Sequence, residues 1–102
     1  LVWRSPDGHL VAGVTPLLAL DVDILAEKAS ALGRAGDKVE KALERLRGVG
    51  GTAPERRQAL KAAADAVHGY FIQRELCGLR RHEDVIREYA IPREVLARLG
   101  AR

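Results

Sequence analysis

At 102 residues, 47% apolar and 30% charged, the chain is one globular domain's worth of sequence, neither disordered nor membrane-spanning. Aromatics at 4% leave a core to be built from Ala, Leu, Val and Ile, which suits packed helices better than a sheet. A single cysteine, Cys77, excludes an internal disulfide framework and a Cys-rich zinc site, and the net charge of +3 is modest.

Residues 1–14 form an N-terminal extension. Ser5-Pro6-Asp7-Gly8 has the chemistry of a type I turn, with apolar residues on both sides. A short hairpin is one reading. A loosely ordered segment is the preferred one, because an isolated two-stranded hairpin is marginal in water. Residues 15–102 then read as a single helical domain.

Thr15-Pro16 offers a helix N-cap with proline at the first helical position, and Asp21 and Asp23 follow near the positive end of the helix dipole. From Leu18 a four-three spacing runs through Val22, Leu25, Ala29, Leu32, Gly36, Val39, Leu43 and Leu46. That is a heptad seam, and Leu25, Ala29, Leu32, Gly36, Val39 and Leu43 are its central positions, facing either the hairpin partner or a second subunit. Gly33 and Gly36 interrupt it. A break there would give Asp37 and Glu40 a fresh capping box. The seam keeps its phase across both glycines, however, so one helix over Pro16–Arg47 is predicted.

Gly48-Val49-Gly50-Gly51 makes a turn, and Thr52-Ala53-Pro54-Glu55 matches a capping box for a second long helix over about 53–77. Leu60, Ala64, Val67 and Phe71 form its stripe, with Ile72, Leu76 and Leu79 extending an adjacent one. Its run of alanines makes it slim enough to lie close to the first helix, and the short loop makes the two antiparallel. Gly78 caps the second helix. Two short helices follow, about 83–89 and 92–99, divided at Ile91-Pro92. The predicted fold is all-α: a long antiparallel helical hairpin with a short C-terminal helical cap, in which Tyr89, Ile91, Leu96 and Leu99 are buried.

Five features bear on chemistry. Residues 84–99 look like a helix-turn-helix, with Arg87, Arg93 and Arg98 as nucleic-acid contacts. Against it stand Glu94, the bulk of Ile86 and a second helix of only two turns; a structural cap is the preferred reading. Arg74, Arg80, Arg81 and His82 cluster as an anion-binding candidate. Cations at a helix C-terminus with Glu75, Glu83 and Asp84 nearby explain the same cluster without a ligand. Cys77 has only His82 as an activating base and reads as a packed small residue. His68 lacks a His or carboxylate at i+3 or i+4, and Gly48–Gly51 lacks the lysine and strand context of a phosphate loop. No catalytic residue, metal site or cofactor is expected.

The stretch VHGYFIQRELCGLRRHEDVIREYAIPREVLARLGA, at 67–101, together with ILAEKASALGRAG, at 24–36, resembles a small all-helical bacterial protein family of unknown function. The resemblance covers roughly residues 22–101. It implies an all-helical single domain and brings no catalytic residue.

The charge sits unevenly. Residues 1–50 carry seven Lys/Arg and seven Asp/Glu, residues 51–102 ten and seven. The bases are interleaved with acids, which argues against an unstructured nucleic-acid tail. No apolar stretch approaches the roughly 20 residues that span a bilayer, and no long apolar signal segment opens the chain, so a cytoplasmic location without membrane contact is expected. The absence of Met and the opening Leu1 fit a processed chain, a fragment or a non-standard start codon.

These readings converge on a non-enzymatic helical interaction protein that associates with itself as a homodimer. Its pathway and any other protein partner are unspecified, and DNA binding through residues 84–99 is the alternative. A helix of 30 residues is about 45 Å long. A compact domain of this size has a radius of gyration of about 13 Å. Apolar positions outside the hairpin contact would then be buried by pairing two hairpins into a four-helix bundle. A monomer would instead require the first helix to break at Gly33–Gly36 and fold back.

Overall fold

The computed structural model describes residues 16–99, with side chains from Ala19 onward. The N-terminal extension and Thr15 lie outside the described residues. Four helices follow in order: α1 (Pro16–Gly48), α2 (Ala53–Leu76), α3 (Glu83–Glu88) and α4 (Arg93–Ala97), with no strand among the described residues. The chain divides into two units, Leu1–Ser30 and Ala31–Arg102.

The 33 residues of α1 are helical straight through Gly33 and Gly36, as the uninterrupted seam predicts, so no new cap forms at Asp37. No acidic residue lies in its first turn. Asp21 and Asp23 stand beyond the turn within which the dipole acts, so the dipole role expected for them lapses.

In the unit Ala31–Arg102, the second part of α1 packs against α2. Val39, Leu43 and Leu46 of α1 meet Ala59, Ala63, Ala64, Val67 and Tyr70 of α2 in one core, with no buried polar or charged residue among those described. The most buried line on α2 is Ala59–Ala63–Val67–Tyr70; Ala64 and Val67 of the predicted stripe are buried as expected, while at its two ends Ala59 and Tyr70 take the inner positions in place of Leu60 and Phe71. Alanine leaves no bulk between the backbones, so the helices meet along the small residues, and Leu60 and Phe71 are left half-buried at the sides. Ile72, Leu76 and Leu79 are exposed, which corrects the expectation that they extend the packed face.

Gly36 is where the seam accommodates bulk from elsewhere. A Cβ placed there would stand 2.9 Å from the Tyr89 hydroxyl oxygen and 3.6 Å from Tyr70 Cε1. Gly33, one turn earlier, faces open space.

The helix ends follow their local chemistry. Thr52 occupies the N-cap of α2 with extended backbone, but its side chain makes no capping bond; the carbonyl of Thr52 takes the amide of Arg56 at 3.0 Å instead. The capping box expected of Thr52 and Glu55 is therefore not formed. At the other end of α2, Gly78 has φ +87°, Gly78 N–H donates to Glu75 O at 3.0 Å and Leu79 N–H to Arg74 O at 2.9 Å. That is a Schellman motif with glycine just past the cap. The same two bonds close α3: Ala90 N–H to Arg87 O at 3.1 Å and Ile91 N–H to Ile86 O at 3.0 Å. Here the left-handed position is filled by Ala90, φ +53°.

The cap is anchored by Val85, Ile91 and Val95, all buried in the common core. Tyr89, Leu96 and Leu99 pack on it half-buried rather than buried, because α3 and α4, at six and five residues, are too short to cover them. Arg47 reaches from the end of α1 to donate to the carbonyl of Tyr89 at 2.9 Å, and Arg56 of α2 pairs with Glu94 of α4.

Candidate interaction surface

The end of α2 holds the densest group of polar and aromatic contacts. The ring of His82 stacks face to face on Phe71, centroids 4.1 Å apart and planes within 2°. Arg74 Nε donates to His82 Nδ1 at 3.2 Å, so a neutral His82 carries its proton on Nε2, which lies 2.9 Å from Glu75 Oε2. Arg74 Nη2 also donates to the carbonyl of Arg81 at 2.8 Å, and its guanidinium lies 5.8 Å from the Tyr70 ring centroid. Together these bonds fasten the segment from Cys77 to His82 back onto α2. Of the four anion-binding candidates, Arg74 and His82 are drawn together and are occupied by this fastening. Arg80 and Arg81 extend their side chains at the exposed surface.

Tyr70 and Tyr89 meet edge to face, with centroids 5.7 Å apart. Burial, reinforced by a hydrogen bond to Tyr70 and by nearby negative charge, pushes the Tyr89 phenol up to about 12. Two open clefts flank the helices. One, about 310 Å³, runs between α1 and α2 past Ala31, Ala35, Ala66 and Gly69; the other, about 390 Å³, lies between α1 and α3 beside Glu40 and Tyr89.

The model of a family of unknown function, DUF6665, matches residues 9–102. The chain belongs to this family. The match begins thirteen residues before the roughly 22–101 span of the resemblance noted from the sequence, and so takes in part of the N-terminal extension. No curated protein and no solved structure matches the chain.

In this DUF6665 protein, the residues singled out for DNA contact lie on the outer side of the cap. Arg93 and Arg98 are exposed at the two ends of α4, while Arg87 pairs with Asp84 at 3.1 Å, three residues away on α3. Among the described residues no group of three or more His, Cys, Asp or Glu could hold a metal, and Cys77 is a half-buried free thiol. No helix of the described residues is long and apolar enough to cross a membrane.

The seam residues divide sharply. Gly36, Val39 and Leu43 are buried and Leu32 half-buried, whereas Ala29, Leu25 and Val22 are exposed. Every large apolar residue exposed among those described lies in one of two places. Leu20, Val22, Ile24 and Leu25 lie on the first part of α1; Ile72, Leu76 and Leu79 lie at the end of α2. The second group was legible as apolar and periodic in the sequence. Its exposure was not, because Tyr70 and Val67 take the inner face.

Proposed function

We propose that this protein is a non-enzymatic, cytoplasmic helical interaction module whose function is exercised by association with a second copy of itself. The observation that carries the reading is the exposed apolar half of α1: Leu25 is 65% exposed in the very seam that buries Val39 and Leu43 about four and five turns later. Clustered exposed apolar side chains of this kind mark an interaction site. The unbroken α1 supports it further, since the fold-back that would shield the seam within one chain needs a break at Gly33–Gly36.

Sedimentation equilibrium at micromolar concentration tests this. A dimer is the expected result, and a monomer at every concentration overturns it. Retention on duplex DNA that weakens steeply with salt, without self-association, would favour the alternative in which residues 84–99 contact phosphates.

A further inference from the structure

We infer that the exposed first part of α1 in one copy docks on the outer face of the α2 C-terminus in the other, with Asp21 and Asp23 meeting Arg80 and Arg81. The inference rests on the self-association proposed above and assigns its contact surfaces.

The docking face is continuous. Residues 69, 72 and 76 follow three-four helical spacing and so share one side of α2, turned away from the Ala59–Ala63–Val67 line. That side carries exposed Ile72 and Leu76, the latter 62% exposed, and the chain leaves it through Leu79, also exposed. Gly69 stands at its inner end, where an added Cβ would meet nothing. A glycine in the middle of a helix costs about 1 kcal/mol against alanine. No described residue fills the space above it, and a neighbouring helix seated close to α2 would use that bareness.

The occupant is chosen by charge and by pattern. Residues Pro16–Ser30 carry three acids, Asp21, Asp23 and Glu27, against one base, Lys28. The remaining chain from Ala31 carries fifteen bases against ten acids. The α2 face is followed directly by Arg80 and Arg81, both exposed; of the acids near them in sequence, Glu75 is engaged by His82 and Asp84 by Arg87, and Glu83 opens α3. Pairing the two α1 segments with each other would bring acids against acids; seating each on the partner's α2 brings them against arginines. The segment is also apolar on two sides: Val22 and Leu25 continue the seam, and Leu20 and Ile24 lie on the opposite flank. A helix with two apolar sides belongs among neighbours on both. A two-fold axis makes the contact reciprocal, each copy giving one α1 segment and receiving one.

The test is a pair of charge reversals, Asp21→Lys with Asp23→Lys in one variant and Arg80→Glu with Arg81→Glu in the other. All four side chains are exposed, and unchanged helical circular dichroism checks that each variant folds. Alone, each variant is expected to dimerise about tenfold more weakly than the native protein or worse, because like charges then face each other at both contacts. Mixed in equal amounts, the two are expected to form heterodimers of near-native affinity, since both contacts again join opposite charges. A native protein that dimerises while both reversals, alone and mixed, behave identically to it overturns the docking and leaves self-association standing. A native protein that stays monomeric overturns both.

Discussion

Two glycines one turn apart in α1 are chemically alike and physically opposite. Gly36 lies beneath the Tyr89 hydroxyl, and a methyl group there would force the phenol or the backbone to shift. Gly36→Ala should therefore destabilise the fold by about 1–3 kcal/mol, as overpacking does. Gly33 faces open space, and Gly33→Ala should stabilise it by about 0.5–1 kcal/mol through helix propensity alone. Paired urea titrations of the two variants check both signs. At the end of α3 the opposite substitution helps. Ala90 holds a left-handed conformation that glycine adopts without steric cost, so Ala90→Gly is expected to gain about 0.5–1 kcal/mol. Tyr89 adds a pH dependence. Its phenol is held neutral up to about 12, against about 10 in an unfolded chain, so the fold favours the protonated form. The resulting stability is complete below pH 10 and is lost as pH rises from there through 12. Near-ultraviolet titration should show a late-ionising tyrosine, and Tyr89→Phe should abolish it.

Among the elements, the cap is held to the hairpin by very little length. Eleven helical residues in α3 and α4 supply Val85 and Val95, with Ile91 between them, to a core in which α2 contributes chiefly alanine. Val95 is fully buried, and Val95→Ala should cost about 2 kcal/mol. Removing residues 84–102 takes away all three cap anchors along with the acceptors of Arg47 and Arg56, and should replace the cooperative melting transition with a broad one in calorimetry. The helices themselves were legible in the sequence because periodicity and Gly/Pro punctuation are local signals: proline opens α1, glycine lies just beyond α2, and the seam holds its phase through Gly33 and Gly36. What the sequence obscured was which side of α2 faces inward. Leu60 and Phe71 outweigh Ala59 and Ala63 in hydrophobicity, yet the alanine line lets the backbones approach, and only the tertiary packing reveals that preference. The Phe71–His82 stack is similarly invisible beforehand. It depends on the Schellman turn at Gly78 bringing the chain back over α2, and the eleven-residue separation of the two rings gives no hint of it.

At the scale of the whole molecule, one seam serves two purposes. Its later positions, Val39, Leu43 and Leu46, close the core of a single chain. Its earlier positions, Val22 and Leu25, repeat the same spacing on an exposed helix surface. If that surface is completed by a second copy, folding and association are linked, and the melting temperature must rise with protein concentration by mass action. Leu25→Glu separates the two roles. Leu25 is exposed, so its replacement should leave the melting of the dilute protein within about 0.5 kcal/mol of native, as surface substitutions usually do. At high concentration the same variant should fail to gain the stability that the native protein gains, because a charge would then enter an apolar contact. Leu43→Ala should behave in the reverse manner, lowering stability by about 2–5 kcal/mol at every concentration, because Leu43 is only 1% exposed within its own chain. Calorimetric scans of native protein and both variants over a hundredfold range of concentration decide the matter. A native melting temperature that does not move with concentration would mean that the exposed half of the seam is completed by no second copy.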